Sequence, residues 1–408
     1  MRVLHVDKYL RREGGGAGYM LDVAAAQRAQ GDDVDFFSMT DERNVPATYE
    51  QHFAPHRRME PPPGGVVGRA VAIGRTIWSR AAAQCMDEVL QRFAPDVVHL
   101  HNVYHQLSPS ILQPVRRRGI PAVLTAHDYK LVCPTYRFLD EQAPCTACLD
   151  GRFRHAVTRR CRDGRLAASA AMALEARVHR TLGAYDHVSR VLCPSAFLRD
   201  RLVEGGFAPD RLVHLPLFVD VPAAPAGPRA GVVYAGRLSA EKGVDVLVRA
   251  VGLLPGEQLV VAGDGPARPA LEEQARREAP GRVRFLGQLT KAGVLEALRA
   301  ARVAVLPARW HENQPLSVLE AMACCTPVVT TDLGGLPELV SHLETGVVVP
   351  PEDSGALARA LRHVAGPTAT RLGDAGRDRA LASFSRPAHL RGLAQVYAAV
   401  LTPERTPA

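Results

Sequence analysis

The stretch Leu306–Gly335 reads LPARWHENQPLSVLEAMACCTPVVTTDLGG, and its alternation of patterns decides the fold. The β-branched run Val303–Leu306 leads into it, a polar turn follows, and a helical pattern begins near Pro315. The run Val328–Thr330 is a second strand, with Gly334 and Gly335 in the turn after it. Strand, loop, helix and strand form a parallel unit, because two parallel neighbours need a crossover.

The same alternation extends in both directions. Upstream strand candidates are Val3–Val6, Val34–Phe37, Val97–His101, Ala122–Thr125 and Val188–Cys193, with helical stretches such as Tyr19–Ala29 and Ile111–Arg118 between them. Nearer the quoted stretch lie Val232–Ala235, Gln258–Ala262 and Val283–Leu286. Short β-branched runs alternating with helices predict an α/β chain with two Rossmann-like parallel sheets. The Pro-, Gly- and Ala-rich segment Val219–Gly231 is the joint between them. The expected division is 1–222, 223–385 and a terminal helical segment, 386–408, that packs back on the first part. Open α/β sheets bind ligands at the carboxyl ends of their strands, so two facing sheets place function in the cleft between them.

Length and composition agree. The chain has 408 residues, too many for one core, and 47% hydrophobic against 23% charged residues suits a globular protein. The net charge of +8 is spread over both halves, which argues against a nucleic-acid groove. The longest apolar candidate, around Val66–Val89, is cut by Arg69, Arg75 and Arg80, and MRVLHVD reaches acid at Asp7, so a cytoplasmic protein is expected.

Within the quoted stretch, Glu312 lies just past a strand end and Glu320 two turns into the next helix. Both carboxylates can meet one ligand, Glu312 through sugar hydroxyls. The helix start aims the N–H groups of Leu316 and Ser317 at the space between, where a diphosphate belongs. In AGRLSAEKGVDVLVRA (Ala235–Ala250), Arg237 follows a strand and Lys242 precedes a helix, two cations placed to neutralise a departing diphosphate. The glycines of AGDGPARPALE (Ala262–Glu272) fit a turn nearly as well as a nucleotide contact.

These motifs resemble the nucleotide-binding half of the family-4 retaining glycosyltransferases, over about Val232–Phe384. The resemblance implies the GT-B fold of two facing Rossmann-like domains. It also implies that Glu312 contacts donor hydroxyls, Glu320 binds ribose, and Arg237 and Lys242 hold the diphosphate. Asn313 and Pro315 stand where the family often has glycine, and Pro315 removes an N–H. The glycine loop GGGAGY (Gly14–Tyr19), with Gly15 and Gly16, is similar to the loop that approaches donor phosphate and acceptor. It lacks the lysine of α-glucan synthases, which counts against that activity. His127 in LTAHDYK stands where the family places a His near the reacting sugar. The implied catalytic set is His127, Glu312, Arg237 and Lys242, and the donor set adds Gly15, Gly16, Asn313, Leu316, Ser317 and Glu320.

The resulting expectation is transfer of a sugar, with retention, from a nucleotide-diphosphate sugar, UDP by family prior, to a hydroxyl of a glycan, a lipid-linked glycan or a small metabolite. No cofactor is expected for catalysis. A nucleotide-sugar epimerase and a non-enzymatic cysteine-ligated metal module are the rival readings.

Three features stand apart. Cys133, Cys145, Cys148 and Cys161 fall in an insertion at about 128–165, with the ligand types of a structural zinc site; an iron–sulfur cluster or redox disulfide and free thiols are the other readings. Arg152, Arg154, Arg159, Arg160, Arg162 and Arg165 stand there against one acid, Asp163, as a solvated loop or as a site for an anionic acceptor or membrane headgroups. His99, His101 and His105 alternate so that His99 and His101 share a face; burial near the cleft floor and a metal site are the two readings. Finally, Val67, Ala70, Val71, Ile77, Trp78 and Ala81 have helical spacing, which fits a crossover helix or peripheral contact at the inner face of a membrane.

Overall fold

The computed structural model describes residues 1–12, 14–57, 65–140, 143–223 and 227–402. Parts of the expected joint (224–226) and of the terminal segment (403–408) lie outside the described residues, as do the side chains of Val67, Arg69 and Ala70.

The first half builds β1 (Arg2–Val6), β2 (Asp33–Phe37), β3 (Val97–Leu100), β4 (Ala122–Thr125), the short pair β5 (Leu139–Asp140) and β6 (Ala143–Pro144), β7 (Val188–Cys193) and β8 (Leu212–His214). The second half adds β9 (Val232–Ala235), β10 (Leu259–Ala262), β11 (Val283–Gly287), β12 (Val303–Leu306), β13 (Val328–Thr331) and β14 (Gly346–Val349). One sheet runs β2-β1-β3-β4-β7-β8 and the other β11-β10-β9-β12-β13-β14, and every pairing in both is parallel. Buried central strands explain the unbroken apolar runs that mark them in the sequence. The short strands β8 and β14 and the β5–β6 pair escaped the sequence reading, since two to four residues carry too little periodicity.

The order of each sheet locates its ligand crevice. Strand order reverses between β1 and β3 in the first sheet and between β9 and β12 in the second, and α/β sheets bind at such switch points. The first crevice is entered by the glycine loop after β1, the second by Arg237 after β9 and the quoted motif after β12.

Each sheet has its own core. Leu393, Val396 and Tyr397, on the helix Arg386–Leu401, belong to the core of the first half, so the end of the described chain crosses back. The stretch from Val66 is two helices, Val66–Ile77 and Arg80–Phe93. Trp78 is extended, and the Ser79 hydroxyl caps the second helix by accepting from Ala82 N at 3.3 Å. Among the described residues no helix is long and apolar enough to cross a membrane.

Candidate active site

Two helix starts meet in the cleft. The helix Gly15–Ala29 is preceded by Gly14 at φ 82°, and the helix Leu316–Ala323 by Pro315; among the described residues neither start has a side-chain cap. A Cβ on Gly15 would lie 3.5 Å from Leu316 Cδ1, and one on Gly16 only 2.9 Å from Asn102 Nδ2 and 3.3 Å from His127 Cγ. Gly16 therefore lets the backbone pack against Asn102 and His127, while at Gly15 the loop meets Leu316 of the other half in ordinary contact. Uncapped N–H groups converging from two helices form an anion site.

On the second half, Glu312 is buried and its Oε1 accepts from Lys242 Nζ at 2.6 Å and from Trp310 Nε1 at 2.7 Å. The ammonium also lies 5.1 Å from the centre of the Trp310 ring, which favours the cation there. Arg237 is exposed, and its side chain has no ion-pair partner among the described residues. Gly263 and Gly265 shape the loop that carries it: a Cβ would fall 1.8 Å from Gly236 O and 2.3 Å from Leu238 O respectively. That contact gives these glycines a packing role. Gly334 and Gly335 similarly admit the backbone of Glu312 and Asn313.

The Glu320 carboxyl group accepts no hydrogen bond from the described residues, and burial pushes it up to about 7, with Lys291 opposing. Its neighbourhood therefore suits a partner that donates hydrogen bonds. Ser317 is half-buried on the first turn of the same helix.

Asn313 differs from expectation. Its amide does not face a ligand: Nδ2 donates to Ala126 O at 3.0 Å and Oδ1 accepts from Ser195 Oγ at 2.7 Å. A buried amide needs both ends satisfied, and here the other half supplies both partners. Three more bonds close the same seam. Glu338 accepts from Ala196 N and Phe197 N, at 2.7 and 2.6 Å, and Tyr129 donates to His311 O at 3.0 Å.

His127 sits at the mouth of a buried chain of hydrogen bonds. Its Nε2 is 3.1 Å from His101 Nδ1, and His101 Nε2 is 3.1 Å from His5 Nδ1. His5 Nε2 meets Gln27 Oε1 at 2.7 Å, Gln27 Nε2 donates to the Tyr397 hydroxyl at 3.4 Å, and that hydroxyl is 2.6 Å from His99 Nδ1. Burial holds His5 and His127 at about 4 and His101 well below the usual range, so all three imidazoles are neutral near pH 7. Polarity then follows from Gln27. Its carbonyl requires a proton on His5 Nε2, hence one on His101 Nε2 and one on His127 Nε2. His127 Nδ1 is left as an acceptor.

His99 and His101 do share a face, with ring centres 4.4 Å apart. His5, His99 and His101 have nitrogens within 4.8 Å of one another, but the bonds above occupy them. His105 lies elsewhere, with Nδ1 3.0 Å from Glu175, which also pairs with Lys130 at 2.9 Å. His5, Gln27 and the Lys130–Glu175 pair had no local motif and went unread.

The insertion also departs from expectation. The four cysteines are electrostatic neighbours; burial and then the other thiols push Cys148 up to about 12 and, with Asp140 between them in weight, Cys161 to about 11. Among the described residues no three of their sulfurs come within 4.8 Å of one another, whereas a tetrahedral zinc needs about 3.8 Å from bonds of about 2.3 Å. The arginines there meet more acid than the one expected, because Asp140 binds Arg159 at 2.7 Å and Asp150 binds Arg152 at 2.6 Å, beside the Arg137–Asp163 pair at 3.1 Å.

Comparisons with known proteins agree with this geometry. A family model described as Glycosyltransferase Family 4 matches residues 13–222, and one described as Glycosyl transferases group 1 matches 229–366. The chain is 39% identical over 196 residues to a glycogen synthase of Mycobacterium tuberculosis, covering 46% of this chain and 47% of that one. It thus spans about half the length of that curated relative. It is 31% identical over 322 residues to the 2-deoxystreptamine N-acetyl-D-glucosaminyltransferase of Streptomyces fradiae, covering 75% of this chain and 70% of that one. The Anabaena protein HepE, solved with UDP-glucose, superposes with a TM-score of 0.68 at 16% identity, over 98% of this chain and all of that one. That likeness shows the GT-B fold. Two parallel sheets facing across a cleft and matched family models over both halves place this chain in glycosyltransferase family 4.

Proposed function

We propose that the chain transfers a sugar from a UDP-sugar to a hydroxyl acceptor with retention of configuration. The observation that carries this reading is the meeting of the Gly15 and Leu316 helix starts, with Lys242 held on Glu312 in the loop before the second start and Arg237 exposed after β9. The diphosphate lies between the helix starts, where N–H groups and both cations stabilise the charge that develops as the bond to the anomeric carbon breaks. Glu320 accepts from the ribose hydroxyls. Glu312 orients Lys242 and faces the donor sugar, while His127 Nδ1 accepts from a donor hydroxyl. The acceptor attacks from the face the diphosphate leaves, and the departing phosphate takes its proton. HepE, of the same fold, is solved with UDP-glucose, which supports a uridine donor. Neither the epimerase nor the metal-module reading gains support from the relatives.

Thermal shift with UDP, GDP, ADP and their glucose conjugates tests the donor. A ligand at 100 times its dissociation constant stabilises by about 2.7 kcal/mol, so UDP and UDP-glucose are expected to raise Tm by several degrees. No shift with any nucleotide would sink the reading.

A further inference from the structure

Beside the donor cleft, on the first half, lies a cavity of about 950 Å³ that opens onto Arg237. One wall is aliphatic: Val71 and Ile73 on the helix Val66–Ile77, and Ala167, Ala171 and Met172 on the helix Leu166–Thr181. The mouth is cationic. Arg75, Arg165 and Arg237 line it, and none has a carboxylate within ion-pair distance among the described residues. Arg57, also lining it, gives its guanidinium to carbonyls of Ala72, Arg75, His105 and Gln106 and so adds charge without offering a hand. The acids of the cavity offset little of this: Glu175 is neutralised by Lys130, which leaves Asp128. Also in the lining, the Tyr104 hydroxyl and His105 Nε2 are buried without a hydrogen-bond partner among the described residues.

We propose that this cavity binds the acceptor, and that the acceptor is an anionic amphiphile: a sugar joined through phosphate to a hydrocarbon chain. The inference rests on the glycosyl-transfer reading above and specifies its acceptor. The aliphatic wall removes hydrocarbon from water, Arg75 and Arg165 meet the phosphate while Arg237 serves the donor, and the bare polar atoms of Tyr104 and His105 meet sugar hydroxyls. A neutral polysaccharide end would leave the arginines uncompensated, and a free sugar phosphate would leave the aliphatic wall wet.

The test uses the whole chain saturated with UDP and three probes below their micelle concentrations: glucosyl undecyl phosphate, glucose 1-phosphate and undecyl glucoside. Calorimetry is expected to show the first binding at least about tenfold more tightly than either of the others. Arg75→Glu should abolish its advantage over undecyl glucoside, and Ala171→Asp its advantage over glucose 1-phosphate, with the UDP-induced rise in Tm unchanged in both variants. Glucose 1-phosphate binding as well as the amphiphile would overturn the hydrocarbon and leave a soluble phosphate. Equal binding of undecyl glucoside would overturn the phosphate. If UDP itself fails to stabilise the protein, the parent reading fails; if UDP binds and the amphiphile does not, the acceptor assignment fails alone.

Discussion

Two lysine–glutamate pairs stand near the carboxyl ends of strands, one in each half, and they are opposites. Lys130–Glu175, at 2.9 Å, has side chains only 3% and 2% exposed and further bonds to Pro134 O and His105. Lys242–Glu312, at 2.6 Å, leaves the lysine 18% exposed on the cleft, with one carboxylate and one indole as company. The first pair is almost wholly buried, with Glu175 meeting only the wall of the neighbouring cavity, and its bonds hold the structure together. The second can exchange its partner for a phosphate. Ion-pair geometry alone does not separate structure from function; what the cation can reach does.

The largest effect is expected at the enclosed pair. Lys130→Met should lower stability by about 3–5 kcal/mol, because it strands the Glu175 charge in the interior. Denaturant unfolding measures this, and a loss under about 1 kcal/mol would show that the pair is wetter than its burial implies.

At the open pair, Lys242→Ala should cut turnover by about 10²–10³-fold with the unfolding midpoint nearly unchanged. Near-normal turnover would erase the contrast and the mechanism with it.

Glu320 sharpens the comparison through pH. Burial raises its carboxyl to about 7, and hydrogen bonds from a ribose favour its charged form. UDP affinity should therefore rise with pH, by about tenfold between pH 6 and 8, with proton release on binding. Stability should move the other way. The raised folded value means that the native state holds the proton longer, so Glu320 destabilises increasingly from about pH 4.5 to 7. Calorimetry in buffers of different ionisation enthalpy measures the release, and Glu320→Gln should flatten the affinity profile. An unflattened profile assigns the proton elsewhere.

The smallest effect belongs to the histidine chain. Tyr397→Phe removes the hydroxyl between Gln27 and His99 and should cost about 1 kcal/mol of stability. Nitrogen NMR of His127 should still place the proton on Nε2, because Gln27 still accepts from His5. Gln27→Leu should let both tautomers appear and lower turnover more than it raises KM. A single unchanged tautomer in Gln27→Leu would show that polarity is set at another point.

The donor side was legible because its residues are contiguous. Glu312 and Glu320 share one loop and helix, Arg237 and Lys242 one turn, and strand ends bring these segments together in any sheet of this order. The glycine loop was legible for the same reason. Asn313 was misjudged because its partners, Ala126 and Ser195, lie 187 and 118 residues away. The cysteine spacing offered ligand types, but convergence of four sulfurs depends on how the insertion packs around Phe153 and Ala156.

By itself the sequence determined two parallel α/β halves, the strand ends that carry charge, and membership of a glycosyltransferase family. These follow from periodicity and local order, which act over a few residues. Tertiary structure alone decided which lysine is free, which amide is a clasp, that four histidines and a tyrosine from opposite ends of the chain form one network, and that unpaired arginines face an aliphatic wall. Those outcomes depend on burial and on partners far away in sequence, since a charge or polar group takes its role from what surrounds it after folding.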